Sequence, residues 1–308
     1  MSRRAGIDVG GTKFLGVVVD EHGEVVLERR RATPKGADQV IDALVDFAGE
    51  LGAWDSLGIG VPGLVTRTGV LRAAPNLVSV AELAVGPRVA AELGRPVAID
   101  NDATCAALAE WQYGAGRGVD DMVMVTLGTG IGGGIVAGGR LQRGANGFAG
   151  EIGHIVVDPD GPACPCGRKG CWERYASGTG LARLAREQVR GQRGARVVEL
   201  AGGDPDQVRG EHVQAAAREG DADALAVIDD FGRWAAIGLV SLANVLDPAM
   251  FVLGGGLAAS ADVLLEPIGR WFRALLYAPD LRPHPALVFA DLGERAGAVG
   301  AALLTEHR

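Results

Sequence analysis

The sequence predicts an α/β protein built as two related lobes that face a shared cleft, and three observations carry that expectation. At 308 residues the chain exceeds the size at which one hydrophobic core usually stops growing. A unit of strand, glycine turn, strand, turn and strand begins near Ala5 and recurs from Met122. Between the two copies, Gly114-Ala115-Gly116-Arg117-Gly118 has the composition of a hinge between domains.

The elements follow in order. Residues 5–9 read as a buried strand, Gly10-Gly11 as a turn, 14–20 as a returning strand, and 25–29 as a third strand after Glu21-His22-Gly23. Residues 37–51 have helical spacing, 57–61 form a strand, 81–93 a helix, 97–99 a strand and 103–113 a helix. In the second copy, strands at 122–127 and 132–136 flank Gly128-Thr129-Gly130, and a third short strand is expected from Arg140 after Gly138-Gly139. Helices are predicted at 180–192, 213–230, 231–246 and 263–276, and strands at 250–253 and 287–290. A final helix at 296–305 is long enough to cross back to the first lobe. The expected division is a smaller N-terminal lobe of residues 1–115, joined by the C-terminal helix 296–308, and a larger lobe of residues 116–295.

Composition excludes several function classes. Hydrophobic residues at 48% and charged residues at 22% are ordinary for a globular chain, so disorder is excluded. A net charge of −8 repels phosphate backbones, and the one dense basic stretch, Arg29-Arg30-Arg31, follows a strand where solvated arginines need no partner. No nucleic-acid partner is expected. No apolar run reaches the ~20 residues that span a bilayer, and Met1-Ser2-Arg3-Arg4 leads into a strand, so no membrane partner and a cytoplasmic location are expected. Cys105 lies in an apolar helical run and reads as core.

The 48 glycines cluster at strand ends, where they let a ligand approach the backbone. Asp8-Val9-Gly10-Gly11-Thr12-Lys13 sets a carboxylate on a strand and a glycine turn after it, so backbone N–H groups can face a phosphate while Asp8 faces its metal. A P-loop would end Gly-Lys-Ser/Thr and enter a helix; here a strand follows, and that reading is rejected. Taken alone, Gly10-Gly11 is equally well a plain hairpin turn. The second turn, Gly128-Thr129-Gly130 in the equivalent place, changes the balance, because two such turns can clamp one polyphosphate. Gly254-Gly255-Gly256 ends another strand and can let a nucleoside lie against the backbone.

Asp100-Asn101-Asp102 stands between a strand and a helix, where α/β sites gather. The plain reading is a helix N-cap; the chemical reading makes Asp102 the base that takes a proton from an alcohol, with Asn101 binding a hydroxyl pair. Glu151 and Glu173 are either surface charges or acceptors for polyol hydroxyls. Cys164, Cys166 and Cys171, with His154 ten residues before the first, supply a Cys₃His set for a structural zinc. In that arrangement His154 can hold zinc with one ring nitrogen and face a sugar with the other.

Together, Asp8 to Lys13, Asn101-Asp102, Leu127 to Gly134, Glu151 to His154, the cysteine cluster with Glu173, and Gly254 to Gly256 resemble the ROK family over essentially the whole chain, with most likeness to its bacterial glucokinase branch. The cysteine cluster in register with Glu151-Ile152-Gly153-His154 and Glu173 is the most specific part. The resemblance implies an actin-like, hexokinase-type ATPase fold related to ribonuclease H, with ATP and Mg2+ between two lobes and a structural Zn2+. It implies phosphorylation of the 6-hydroxyl of glucose, with Asp102 as base and the hexose held by Asn101, Asp102, Glu151, His154 and Glu173. Gly63 and Asn76 look like further sugar-side positions. Homodimers or homotetramers are usual in the family. The alternatives are another hexose (N-acetylglucosamine, N-acetylmannosamine, mannose, fructose or allose) or polyphosphate as donor. A DNA-binding regulator of the family would carry a helix-turn-helix ahead of this body, whereas Asp8 already belongs to the first turn.

Overall fold

The computed structural model describes residues 2–73 and 82–307. Strands β1 (Arg4–Val9), β2 (Lys13–Val19) and β3 (Val25–Ala32) form the expected antiparallel meander. Helix α1 (Ala37–Glu50) turns Val40, Ile41, Leu44, Phe47 and Ala48 onto the sheet at helical spacing. Strand β4 (Ser56–Val61) pairs parallel to β1; a small hairpin, β5 (Leu64–Val65) and β6 (Leu71–Ala73), precedes α2 (Val85–Leu93). The helix expected over 81–93 starts only at Val85, because Leu83 is bridged to Leu71 and Glu82 lies at a φ of 62°. Strand β7 (Ala98–Asn101) pairs parallel to β4 and leads into α3 (Asp102–Tyr113). The sheet order β3-β2-β1-β4-β7 leaves β7 at the edge.

Strands β8 (Met122–Leu127), β9 (Ile131–Val136), β10 (Met250–Gly254) and β11 (Ala286–Phe289) form a second sheet in the order β11-β10-β8-β9. This repeats the order β7-β4-β1-β2 of the first sheet, and β10 and β11 are parallel as β4 and β7 are. The third strand expected from Arg140 does not form. Gly138 and Gly139, both at positive φ, reverse the chain, which makes one bridge between Val136 and Leu141 and then leaves the sheet.

The remaining helices are α4 (Glu173–Ala176), α5 (Gly178–Arg190), α6 (Ala195–Leu200), α7 (Gly210–Arg218), α8 (Ala222–Leu246), α9 (Ala261–Leu275) and α10 (Ala296–Leu303). The boundary expected at residue 230 falls instead at Gly220, which takes a φ of 83° before Asp221 caps α8 by accepting from the Ala224 N–H at 2.8 Å.

The chain divides into two compact units, Met1–Met124 with Gly133–Gly150 and Ala290–Arg308, and Val125–Gly132 with Glu151–Phe289. Within the first, α10 lies on β1, β4 and α3 at backbone distance. A Cβ at Gly6 would stand 1.9 Å from the Ala298 carbonyl oxygen, and one at Gly58 would stand 1.8 Å from that of Ala301. Cys105 is fully buried beside α10. Among the described residues no helix is long and apolar enough to cross a membrane.

Candidate active site

In the first unit, Asp8 is the penultimate residue of β1, and the turn after it is tight: the Gly10 N–H donates to the Lys13 carbonyl at 2.9 Å. Thr33, just past the end of β3, closes the turn, its hydroxyl donating to the Gly10 carbonyl at 2.6 Å and its N–H to that of Thr12 at 3.0 Å. Gly11, Thr12 and Lys13 are exposed. The Lys13 ammonium pairs with Glu294 at 2.9 Å, an exposed contact that a phosphate can displace at little cost. Gly297, in the first turn of α10, abuts the Asp8 carboxyl, where a Cβ would come within 2.7 Å of its Cγ.

Asn101 and Asp102 end β7 and begin α3. The cap is Asn101: its Oδ1 accepts from the Thr104 N–H at 3.0 Å, while its Nδ2 donates to the Gly63 carbonyl at 3.2 Å. Asp102 is therefore the first helical residue and not the cap. Its Oδ1 accepts from the Ala103 N–H at 2.8 Å. The structure thus joins Asn101 to Gly63; Asn76 lies outside the described residues.

Burial raises the pKa of the Asp102 carboxyl, an effect opposed by its backbone N–H donors and by Asn101. Asp8 is raised from 3.8 to about 7, first by burial and then by the negative charge of Asp102, against the pull of Lys13. A cation at Asp8 would relieve both causes, which fits a metal-facing carboxylate. Between pH 4 and 7 the folded chain holds a proton on Asp8 that the unfolded chain has released. Stability from this group therefore falls as pH rises through that window, and the full cost is present above pH 7. Asp8→Asn is expected to stabilise the nucleotide-free protein by roughly 1–3 kcal/mol at pH 8, and by much less at pH 5, with solvent screening of the half-buried group included. Thermal unfolding of both proteins across this range measures it; equal gains at both pH values would overturn the linkage.

In the second unit, the turn after β8 is closed by the Gly128 N–H on the Gly130 carbonyl at 3.0 Å and by the Gly132 N–H on the Thr126 hydroxyl at 3.1 Å. The start of α5 braces it: the Gly178 N–H donates to Gly128 at 2.8 Å, and the Thr179 hydroxyl to Thr129 at 2.8 Å. Gly254-Gly255-Gly256 ends β10 beside this turn, for Gly255 takes a φ of 80° and a Cβ there would meet the Leu127 backbone at 2.7 Å. The two glycine segments thus share one locality.

The cysteines lie on a loop that hydrogen-bonds to itself. The Val157 N–H donates to Gly170 at 2.9 Å and the Trp172 N–H to Ile155 at 2.8 Å. Gly167, at a φ of 88°, closes the Cys164-Pro165-Cys166 knuckle through its N–H on the Cys164 carbonyl at 3.0 Å. Trp172 anchors the loop: fully buried, it lies on Gly238 of α8 and donates its indole N–H to the Trp234 carbonyl at 2.9 Å.

The ligand atoms of His154, Cys164, Cys166 and Cys171 all fall within 4.8 Å of one another. Cys166 Sγ and Cys171 Sγ are 3.6 Å apart, and Cys164 Sγ and His154 Nδ1 are 3.9 Å apart. Zn–S and Zn–N bonds of ~2.3 and ~2.0 Å give tetrahedron edges of about 3.5–3.8 Å, so the residues fit a structural zinc. His154 turns Nδ1 to the cluster and has Nε2 3.9 Å from Glu151. Glu173 Oε1 lies 3.1 Å from Cys164 Sγ, while its Oε2 faces Gly130, where a Cβ would come within 2.5 Å. The carboxylate spans the metal cluster and the second glycine turn.

The sequence profile of the ROK family matches residues 4–308. The chain belongs to the ROK family. This ROK protein is 39% identical over 313 residues to the glucokinase of Streptomyces coelicolor, an alignment that covers all of this chain and 98% of that one. It is 34% identical to the glucokinase of Thermotoga maritima, over 98% of this chain and 97% of the other. Its structure is similar to that of a ROK family glucokinase from Streptomyces griseus in complex with glucose and AMPPNP. There the TM-score is 0.88 at 40% identity, covering 98% of this chain and 99% of that chain. The repeated sheet order accordingly belongs to the actin-like ATPase fold of ROK sugar kinases.

Several groups near the ROK site were not anticipated. Gly297 sits among alanines that look like any apolar helix, and Thr179 follows an unremarked Ser-Gly. Asp100 has no sequence signal beyond its place in Asp100-Asn101-Asp102, yet it is 5% exposed and its Oδ2 accepts from Arg143 Nε at 2.6 Å. A lone arginine 43 positions away carries no local signal of that pairing.

Proposed function

We propose that this ROK protein is a glucokinase, transferring the γ-phosphoryl group of ATP to the 6-hydroxyl of glucose. The observation that carries substrate and donor is the full-length likeness to the Streptomyces griseus glucokinase that holds glucose and AMPPNP. The site supports the same chemistry. Asp102 is relieved of capping by Asn101 and made more basic by burial, as a general base for an alcohol requires. The 6-hydroxyl oxygen attacks the γ-phosphorus, its proton passes to the Asp102 carboxylate, and the bond from phosphorus to the β-bridging oxygen breaks to release ADP. Mg2+ bound with the nucleotide supplies charge neutralisation at the phosphates.

Asp8 would face that metal; Gly11, Thr12 and Lys13 of the first turn and Thr129 and Gly130 of the second are proposed to donate to phosphate oxygens, while Gly10 and Gly128 shape the turns by closing them on Lys13 and Gly130. Gly254, Gly255 and Gly256 offer the nucleoside platform. The hexose is proposed to be held by Asn101, Gly63, Glu151, His154 and Glu173, with the carboxylates of Glu151 and Glu173 accepting from sugar hydroxyls; Asn76, proposed with them, lies outside the described residues. His154 Nδ1 would join Cys164, Cys166 and Cys171 in holding a structural zinc, which would leave Nε2 for the sugar. The assembly is proposed to be a homodimer or homotetramer acting in the cytoplasm, where three clustered thiols stay reduced.

A coupled assay on purified protein with a panel of hexoses and phosphoryl donors tests this reading. Glucose with ATP is expected to give the highest kcat/KM, and epimers are expected to lose a factor of ~10–10², the effect of one altered contact. A preference of similar size for N-acetylmannosamine, or for polyphosphate over ATP, would overturn the substrate assignment.

A further inference from the structure

The turn that carries the base leaves the sheet from its outermost strand. On the inner side β7 is held by β4, with Ala98 through Asn101 in register against Gly58 through Val61. On the outer side, among the described residues, no strand pairs with it. Chemistry that tolerates little displacement is thus mounted on a strand with one neighbour.

Arg143 supplies the missing restraint. The chain leaves the sheet after Leu141 and brings this arginine to Asp100. Nε donates to Asp100 Oδ2 at 2.6 Å, and Nη1 donates to the His307 carbonyl at 2.8 Å. The other oxygen, Oδ1, accepts from the Asn101 N–H at 2.9 Å. One carboxylate is therefore shared between an arginine and the backbone of the residue just before the base. The side chains of Asp100 and Arg143 are only 7% and 18% exposed. They line a cavity of about 410 Å³ along β7 with Val65, Arg67, Val97 and Leu304, so the strand borders open space beside Asp100 although Ile99 packs on Gly69 and Gly86.

We infer that Arg143 is a positioning residue for phosphoryl transfer: through Asp100 it fixes the Asp100-Asn101-Asp102 turn and so the aim of the Asp102 carboxylate. The inference rests on Asp102 being the base. A lysine at position 143 keeps the charge but cannot reproduce the planar fork that reaches Asp100 and His307 together. Removing the guanidinium alone leaves a buried carboxylate uncompensated, which lowers stability whatever the role of the pair.

The test therefore uses Arg143→Lys, Arg143→Met and the double variant Asp100→Asn/Arg143→Met. In the double variant no charge is stranded, and the amide oxygen at position 100 still accepts from Asn101. Its Tm is expected to recover most of what Arg143→Met loses, while kcat per folded molecule stays ~10–10²-fold low, the cost of a displacement of about 1 Å. The KM for ATP should stay within about threefold of wild type, and Arg143→Lys should fall between. Hydrogen exchange read by mass spectrometry should show faster exchange at residues 101–104 in all three variants, with β1 unchanged. Wild-type kcat and unchanged exchange at 101–104 in the double variant would make the pair a stabilising element only and overturn the inference. If wild-type protein phosphorylates no sugar, the proposed function fails, and the exchange of residues 101–104 still decides whether Arg143 holds the turn.

Discussion

Replacing Asp102 by asparagine is expected to lower the turnover of glucose phosphorylation by at least ~10², the low end for removal of a general base, while glucose and ATP still bind. The fold gives this substitution little else to disturb. Asn101, not Asp102, caps α3, and an amide oxygen at position 102 can still accept from the Ala103 N–H. Stability should not fall, because a carboxylate destabilised by burial is removed. The neighbouring Asp8 also loses the negative charge that contributes to its raised pKa, so affinity for Mg·ATP should hold or rise. Low kcat with intact Tm and intact ATP binding is thus the signature of the base. A variant that keeps more than about a tenth of wild-type turnover would remove Asp102 from that role.

Cys166→Ser is expected to strip the zinc and to weaken glucose binding by about tenfold or more, with a smaller effect on ATP. Cys166 is the exposed member of the set, so the substitution opens no core cavity, but it removes one of four ligands from a loop whose local folding the metal completes. His154 and Glu173 respond together, because both lie against Cys164: Nδ1 of the first at 3.9 Å and Oε1 of the second at 3.1 Å. Loosening the cluster therefore moves two sugar-side groups at once. The glycine turn feels less, since Gly128 and Thr129 are held by Gly178 and Thr179 of α5, although Gly130 does abut Glu173. Metal content, glucose affinity and ATP affinity on one preparation test all three statements. Zinc-free protein that binds glucose like wild type would reduce the metal to a distant staple.

The chain announces its local chemistry plainly. The strands at 5–9 and 122–127, the glycine turns after them, the Asn-Asp pair at the end of a strand and the Cys₃His set can each be read because the signal is local. Alternating or continuous apolar residues, glycines where backbone must be approached, and ligand types at short spacing are properties of a few neighbouring positions. The break between α7 and α8 is written just as locally, in Gly220-Asp221, although helical spacing alone puts it at residue 230.

Choices of partner were of another kind. Nothing in an alanine-rich C-terminal segment says that Gly6 and Gly58 will receive α10 at backbone distance. Nothing near Arg140 says that the repeat will lose its third strand and send Arg143 to Asp100. A helix expected over 103–113 puts Asp102 at the cap, whereas the backbone path sets Asn101 there at the strand end and Asp102 in the helix. Residue type and spacing determine which chemistry a segment can perform. Which groups meet depends on contacts between segments far apart in the chain, whose free energies are realised only once the sheets and α10 have packed.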